Sequence, residues 1–547
     1  MRIEQSVPIV YEDIYKKPFD GLLTDYIAQY DRMQIIDIAL KCIYNQEWWK
    51  DYTESCKYIF RDSASEIYKI ISRNIRSEKL HVSPLVSCQT GLELLRFAFS
   101  IKSTNSKQVT YENLLNIFLI INEELNNRSD NTLKDIKDSE SQLAYLFYIT
   151  TLPYNDYTNN SIETYIISNV YKSLRLFDFC YNHTKLKELL PILLNKYHCD
   201  TYGEYIKRMV NIFSFVQNGE YKIILDKNDD NYTKDKLFFD SISIKYNAVI
   251  DKDKNIDYIE FRNYPLINFD NDTYWVINNY FVIGKLFDSI SFDLSSIAKD
   301  KKLSIDVFQI ISLEFMENIL LYDILDKIFN YKNCIKLTGE QCRKTTQEPS
   351  EADFYTRNWN DAFLIECKDV TIKKEYKFVP NYEEVKKNLY EKFVKKPNGD
   401  KAAIQQLVHN IERILNNNFP YDKAIKNNKV KIYPILVVGR SIYAIYGISN
   451  ILNDFFKEEL LNQNINSNKV KDLILCDIDT LILYQTTFGK NNSDIKSFIN
   501  SYYKNRTYKI KYDSIYKKYQ SFGDYIRNNI LPETMVMEIL QPLLENL

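Results

Sequence analysis

The sequence predicts an α/β protein, α+β overall, with a helical N-terminal region, a mixed connecting segment and a C-terminal mixed sheet flanked by helices. Three observations predict it. Apolar residues recur at intervals of three and four through the N-terminal part, as in Leu22-Leu23-Tyr26-Ile27-Tyr30 and Leu114-Leu115-Phe118-Leu119. Short runs rich in β-branched and aromatic residues begin near Tyr221. From Val307 onward the signals alternate as helix, three strands, helix, strand, helix, strand, the order of an α/β domain.

A chain of 547 residues is too long for one ordinary domain. The expected division is 1–220, a helical regulatory or recognition region; 221–300, a strand-containing connector; 301–490, the α/β core; and 491–547, C-terminal helices. In the first region, breaks fall at Ser83-Pro84, Leu152-Pro153 and Leu190-Pro191, and Leu143-Leu146-Phe147 continues the helical pattern. Trp48-Trp49 reads as core or interface. In the connector, Tyr221–Leu225, Ile242–Ile244, Tyr274–Ile277 and Tyr280–Ile283 read as strands.

In the core, a helix is expected over Val307–Phe329. Strands follow near Cys334–Leu337, Asp353–Tyr355 and Ala362–Glu366. Then come a helix over Ala402–Leu415, a strand over Val430–Val438 with Pro434 as its one blemish, a helix over Ile451–Leu461 and a strand from Leu473. After Asn491 the chain returns to helices.

Bulk properties exclude several classes. The formal net charge is −2, so any nucleic-acid surface has to be local. The nine cysteines include no CxxC pair, a usage that fits a reduced cytoplasm. Met1-Arg2-Ile3-Glu4-Gln5 opens no signal peptide, and no apolar run reaches membrane-spanning length, so a cytoplasmic protein without a membrane partner is expected. No GxxxxGK[ST] loop and no GxSxG elbow occurs. Asp477-Ile478-Asp479-Thr480 is one residue short of a DxDxT phosphatase loop and reads as a strand end.

The chemistry concentrates between Ala352 and Asp369. Two short strands flank the turn Asn358-Trp359-Asn360-Asp361, a hairpin signal. If Asn358 pairs with Asp361, stepping outward pairs Asp353 with Glu366, and directly opposite residues share a face with Cβ atoms about 5 Å apart. Alternation puts Lys368 on the face of Glu366 and Cys367 on the other. Two carboxylates and an ammonium then meet at a sheet surface. Adjacent carboxylates repel unless a cation joins them, and a hard divalent ion takes carboxylate oxygens, waters and substrate phosphate. Such an ion lowers the pKa of a bound water, and a neighbouring lysine stabilises the charge on a phosphate. This is equipment for phosphodiester hydrolysis.

These residues resemble the motif of the PD-(D/E)xK nuclease superfamily, the restriction-endonuclease-like fold. Asp353 stands for its strand Asp, and Glu366-Cys367-Lys368 after Phe363-Leu364-Ile365 stands for its Glu-x-Lys. Ala352 replaces the Pro that names the motif. The resemblance spans about Val307 to Tyr484 and implies further roles. An acidic residue on the first helix would join the site, with Glu317 preferred to Glu314. A Gln on the helix after the hairpin would be Gln405 or Gln406. Asp353, Glu366 and the backbone carbonyl of Cys367 would hold Mg²⁺, for which Mn²⁺ substitutes.

The expected function is therefore a Mg²⁺-dependent endonuclease acting on DNA, in bacterial restriction or antiphage defence, working as a homodimer or with a partner protein or activator. An RNase on the same fold, for instance one cleaving tRNA, is the alternative within enzymes. A non-catalytic scaffold with a degenerate nuclease fold is the alternative outside them. The lysines of Thr371–Lys401 alternate with glutamates and read as a solvated helix face, with a subset free to meet phosphates.

Overall fold

The computed structural model describes residues 8–75, 83–102, 105–133, 140–154, 162–216, 220–332, 334–345, 352–378, 381–490, 494–507 and 515–530. The expected helix after residue 530 lies outside them. The chain divides into two compact units. The first joins Met1–Lys134 to Leu194–Ser289, and the second joins Asp135–Leu193 to Ile290–Leu547. Helical periodicity shows which face is buried but not what covers it, so the segment 135–193 carried no sign that it packs with the C-terminal half.

In the first unit, the helices Arg32–Tyr44 and Cys88–Ser100 lie close together. Gly91 permits the approach, because a Cβ there would meet the Ala39 carbonyl oxygen at 2.7 Å. Their starts are set by side-chain caps: Asp31 accepts from the Met33 N–H, and Ser87 and Thr90 cap each other's backbone. A sheet of four strands, β1 (Lys222–Ile224), β2 (Ser243–Lys245), β3 (Leu266–Asn268) and β4 (Thr273–Val276), runs in the order β1-β4-β3-β2. Three of the expected strands are present and β3 is additional. The fourth expected strand, Tyr280–Ile283, is wrong: these residues belong to a helix, Asn279–Leu286. The run is buried and apolar, and so short that period alone does not separate strand from helix. The side chain of Asn278, accepting from the Tyr280 N–H at 2.8 Å, starts the helix.

The second unit is built on a five-stranded mixed sheet, β5 (Ile335–Thr338), β6 (Phe354–Asn358), β7 (Asp361–Lys368), β8 (Lys431–Val438) and β9 (Ile474–Asp477), in sequence order. β5, β6 and β7 are antiparallel neighbours, whereas β7–β8 and β8–β9 are parallel. The central strands are apolar almost throughout because both faces are covered. Pro434 sits inside β8 opposite Leu364. The Ile432 N–H donates toward β9, to the Lys469 carbonyl. Two residues on, the Pro434 nitrogen faces the same side, where the paired part of β9 begins only at Ile474, opposite Ile435. The missing N–H therefore falls where the ladder is open.

The expected first helix is continuous through three stretches, Val307–Gln309, Ile310–Leu321 and Tyr322–Ile328, of which the middle one is wound as a π-helix. The helices Ala403–Leu415 and Ile448–Asn462 also fall where expected. Among the helices that escaped the sequence reading, two border the sheet. Gly339–Thr345 follows β5, and Ile478–Phe488 follows β9, where the Asp477 side chain accepts from the Thr480 N–H at 2.8 Å. Asp477 is thus a strand end, as expected, and a helix cap. Among the described residues, no helix is long and apolar enough to cross a membrane.

Candidate active site

The hairpin that carries the candidate residues closes in the expected register. Asn358 pairs with Asp361 and Phe354 with Ile365, so the next step outward sets Asp353 against Glu366. Trp359 turns the chain with φ +55°, which the two-residue loop requires. At the other end of the hairpin, Asp353 reaches across the pair: its Oδ2 accepts the Cys367 N–H at 2.7 Å. The backbone of the Glu-x-Lys segment thereby fixes the Asp353 carboxylate beside it. Ala352, in the place of the motif's Pro, is fully buried. The Asp353 carbonyl accepts the Gly339 N–H at 2.8 Å, tying this strand end to the helix after β5.

Glu366 is completely buried, and neither of its carboxylate oxygens has a hydrogen-bond partner. Lys368 Nζ stands 3.8 Å from Glu366 Oε2, with its side chain about one-fifth exposed. Burial first, and then the Asp353 carboxylate, push the Glu366 carboxyl well above the ordinary carboxylate range, and Lys368 offsets them only in part. The Lys368 ammonium is held charged: burial opposes the charge, but Asp353, Glu366 and Glu317 together raise its pKa. Cys367 faces away into the core, and burial raises its thiol, so it is no nucleophile at neutral pH.

The long helix supplies the third acid, and its winding selects which one. A π-helix bonds residues five apart, which sets Glu317 and Tyr322 along one side. Both feel Asp353. The Glu317 carboxyl is pushed up to about 8, by burial and then by Asp353, and burial followed by Asp353 and Glu317 raises the Tyr322 phenol. Tyr322 is anchored twice: its hydroxyl accepts the Gly339 N–H at 3.0 Å and donates to Asn318 Oδ1 at 3.2 Å. Glu314 is half exposed and pairs with His183 Nε2 at 3.2 Å, which leaves Glu317 as the helix acid of the cluster.

Gln405 takes a different partner. Its Nε2 donates to Glu459 Oε2 at 2.9 Å, across to the helix Ile448–Asn462. The structure brings together Asp353, Glu366, Lys368 and Glu317, and it engages Gln405 elsewhere.

Two charged residues at the site were missed. Arg343, on the helix Gly339–Thr345, lowers the Glu317 pKa against the carboxylates. Its helix was detectable: Thr338-x-x-Gln341 is a capping box, with the Gln341 N–H donating to Thr338 Oγ1 at 3.3 Å and the Thr338 N–H to Gln341 Oε1 at 2.9 Å. Asp369, next to Lys368, lies 3.5 Å from Arg440 Nε. Gly439 leaves room for it, because a Cβ there would sit 2.6 Å from Asp369 Oδ1.

The donor set suits a hard divalent cation. Two facing carboxylates, one of them buried without a donor, lie beside a third acid whose carboxyl is pushed up to about 8, and a divalent cation would offset their repulsion and supply the missing partner. Among the described residues, no three His, Cys, Asp or Glu side chains close into a ligand cage. Two carboxylates completed by a backbone carbonyl, waters and substrate oxygens form the smaller set that Mg²⁺ uses. Compared with protein families, with curated proteins and with solved structures, the chain has no match.

Proposed function

We propose that this chain is a divalent-metal-dependent endonuclease that hydrolyses phosphodiester bonds of DNA. The observation that carries the reading is the convergence of Asp353, Glu366 and Lys368 at one end of the β6–β7 hairpin, with the Glu366 carboxylate buried and undonated. Asp353, Glu366 and the Cys367 carbonyl would hold Mg²⁺ or Mn²⁺, which offsets charge on a scissile phosphate and makes water a better nucleophile.

The protein's own residues divide the remaining work. Lys368 is a fixed point charge for a phosphate oxygen, because three carboxylates keep it protonated. The Cys367 N–H positions Asp353, and Tyr322 braces the strand end through Gly339. Glu317, poised near neutrality, can take a proton from water in the site. Restriction or antiphage defence is the setting we infer, from the pairing of a nuclease-like core with a large second unit.

Purified wild type and Lys368→Ala protein, incubated with plasmid DNA and with total tRNA in Mg²⁺, Mn²⁺ or EDTA, test the reading. Metal-dependent cutting of DNA, lost in the variant, is the expected result. Cutting of tRNA alone would replace DNA by RNA as substrate. Cutting by the variant at the wild-type rate would remove the site.

A further inference from the structure

The long helix that carries Glu317 is gripped along one side. The helix Ile162–Asn182 and the residue after it, His183, belong to the same compact unit. The buried Lys172 pairs with the buried Asp479 at 2.7 Å, which fixes this helix to Ile478–Phe488. One turn on, Arg175 pairs with Asp323. The Phe179 ring packs on that of Phe315, with centroids 5.6 Å apart, and His183 Nε2 stands 3.2 Å from Glu314 Oε2. Contact positions rise along one helix as they fall along the other, so the two run antiparallel. His183 is itself held in one state. Its Nδ1 accepts the N–H groups of Lys185 and Leu186, each at 3.2 Å, which leaves the ring proton on Nε2, donating to Glu314.

Glu314 and Asp323 are nine positions apart, and that spacing bears on the winding between them. In an α-helix, at about 3.6 residues per turn, nine residues make about two and a half turns, so the two acids would point to opposite sides. One neighbouring helix could not then pair with both. A π-helix, bonding five apart, takes roughly 4.4 residues per turn, and nine residues make about two turns, which returns both acids to one side. Ile310–Leu321 is π-wound through most of that interval. The same winding parts Glu317 from Glu314. Residues three apart stand about 60° from each other around an α-helix and roughly 115° around a π-helix. Glu314 therefore meets the gripping helix while Glu317 meets Asp353. A π-helix is rare beyond a single turn, so this one needs support from outside itself.

We propose that the helix Ile162–Asn182 positions Glu317: the pairs Arg175–Asp323 and His183–Glu314 hold the long helix in its π winding, and their release lets it rewind as an α-helix that carries Glu317 away from Asp353. The proposal rests on the nuclease reading for what Glu317 does, and on these contacts alone for where it points. Arg175 and His183 are positioning residues, since each acts through its partner on the long helix. A partly exposed pair is weak by itself. Two of them on one helix, anchored by Lys172, oppose rotation of either acid. Displacing that helix would switch the site off.

Urea unfolding in EDTA at pH 8 tests this through the gain in midpoint that Glu317→Gln confers. The gain is measured in wild type, in the double variant Arg175→Ala with His183→Ala, in His183→Gln, and in Tyr181→Ala, a control on the same helix that is 67% exposed. It should fall by about half or more in the double variant. It should persist in His183→Gln, whose amide keeps a donor for Glu314, and in Tyr181→Ala. A helix with only a structural role would lower the midpoints and leave the gain unchanged. With Mg²⁺ and DNA, the double variant should lose about tenfold in kcat at unchanged KM. Should it fail to fold, Glu314→Ala, which removes the acceptor that Glu314→Gln keeps, carries the same comparison. A gain equal in all backgrounds, or absent from wild type, would overturn the positioning. A protein that cuts no nucleic acid but loses the gain in the double variant would overturn the nuclease and leave the positioning standing. A protein that cuts, with the gain equal throughout, would do the opposite.

Discussion

Replacing Glu317 by Gln probes the site without relying on activity. In the folded protein the Glu317 carboxyl titrates at about 8, against 4.5 for a free glutamate. A carboxyl whose folded pKa is raised contributes stability below its unfolded pKa and loses it as pH rises through the folded one. The metal-free protein should therefore lose stability from about pH 4.5 to about pH 8 because of this group. At roughly 1.4 kcal/mol per pH unit, the full gap corresponds to a ceiling of about 5 kcal/mol. Relaxation and water entry at a partly exposed site reduce this to roughly 2 kcal/mol. Glu317→Gln holds the neutral form at every pH, so it should gain about that much on wild type between pH 5 and pH 8. Saturating Mg²⁺ should reverse the order, because the cation stabilises the ionised wild type more than the amide. Chemical denaturation over a pH series, with and without Mg²⁺, measures both effects. Parallel pH profiles for the two proteins would refute the argument, since Glu317 would then not be buried against Asp353.

Four further outcomes are expected. Lys368→Ala should lower the cleavage rate by about two to three orders of magnitude while Mg²⁺ still raises the unfolding temperature, and Glu314→Gln should cut like wild type; steady-state kinetics and thermal scans check both. Asp422→Ala should cost about 3–5 kcal/mol in urea unfolding, because it strands Arg357, whose guanidinium bonds the buried Asp422 carboxylate together with the Tyr355 hydroxyl. Gly439→Ala should slow cleavage more than it lowers stability, since its Cβ would sit 2.6 Å from Asp369 Oδ1 and displace that carboxylate, next in the chain to Lys368; a crystal structure of the variant would show Asp369 displaced.

The hairpin was legible because its information is local. An Asn- and Asp-rich turn fixes the register, side chains alternate strictly along a strand, and those two facts place Asp353 against Glu366 with Lys368 two residues on. The order of strands β5 to β9 followed from the same period arithmetic, because each run is bounded by its own turn signals. The fold class and the absence of an apolar membrane span were equally readable. Where a run was short and apolar throughout, as at Tyr280–Ile283, period did not discriminate, and only the Asn278 cap distinguishes helix from strand.

Tertiary structure decided what depends on partners distant in sequence. Glu317 and Glu314 lie three residues apart on one helix, and local pattern does not separate them. The π-helical winding, with His183 drawn to Glu314, turned one acid to the site and the other outward. Gln405 was drawn to Glu459 by a helix 54 positions away. Arg343 and Asp369 entered the site because strands β5 and β7 end near one another. The assignment of residues 135–193 to the C-terminal unit belongs here too. A sequence records the period and polarity of each element, which fix its own shape and its buried face. Which faces meet is set by the summed packing of elements far apart in the chain, and local pattern does not encode that sum.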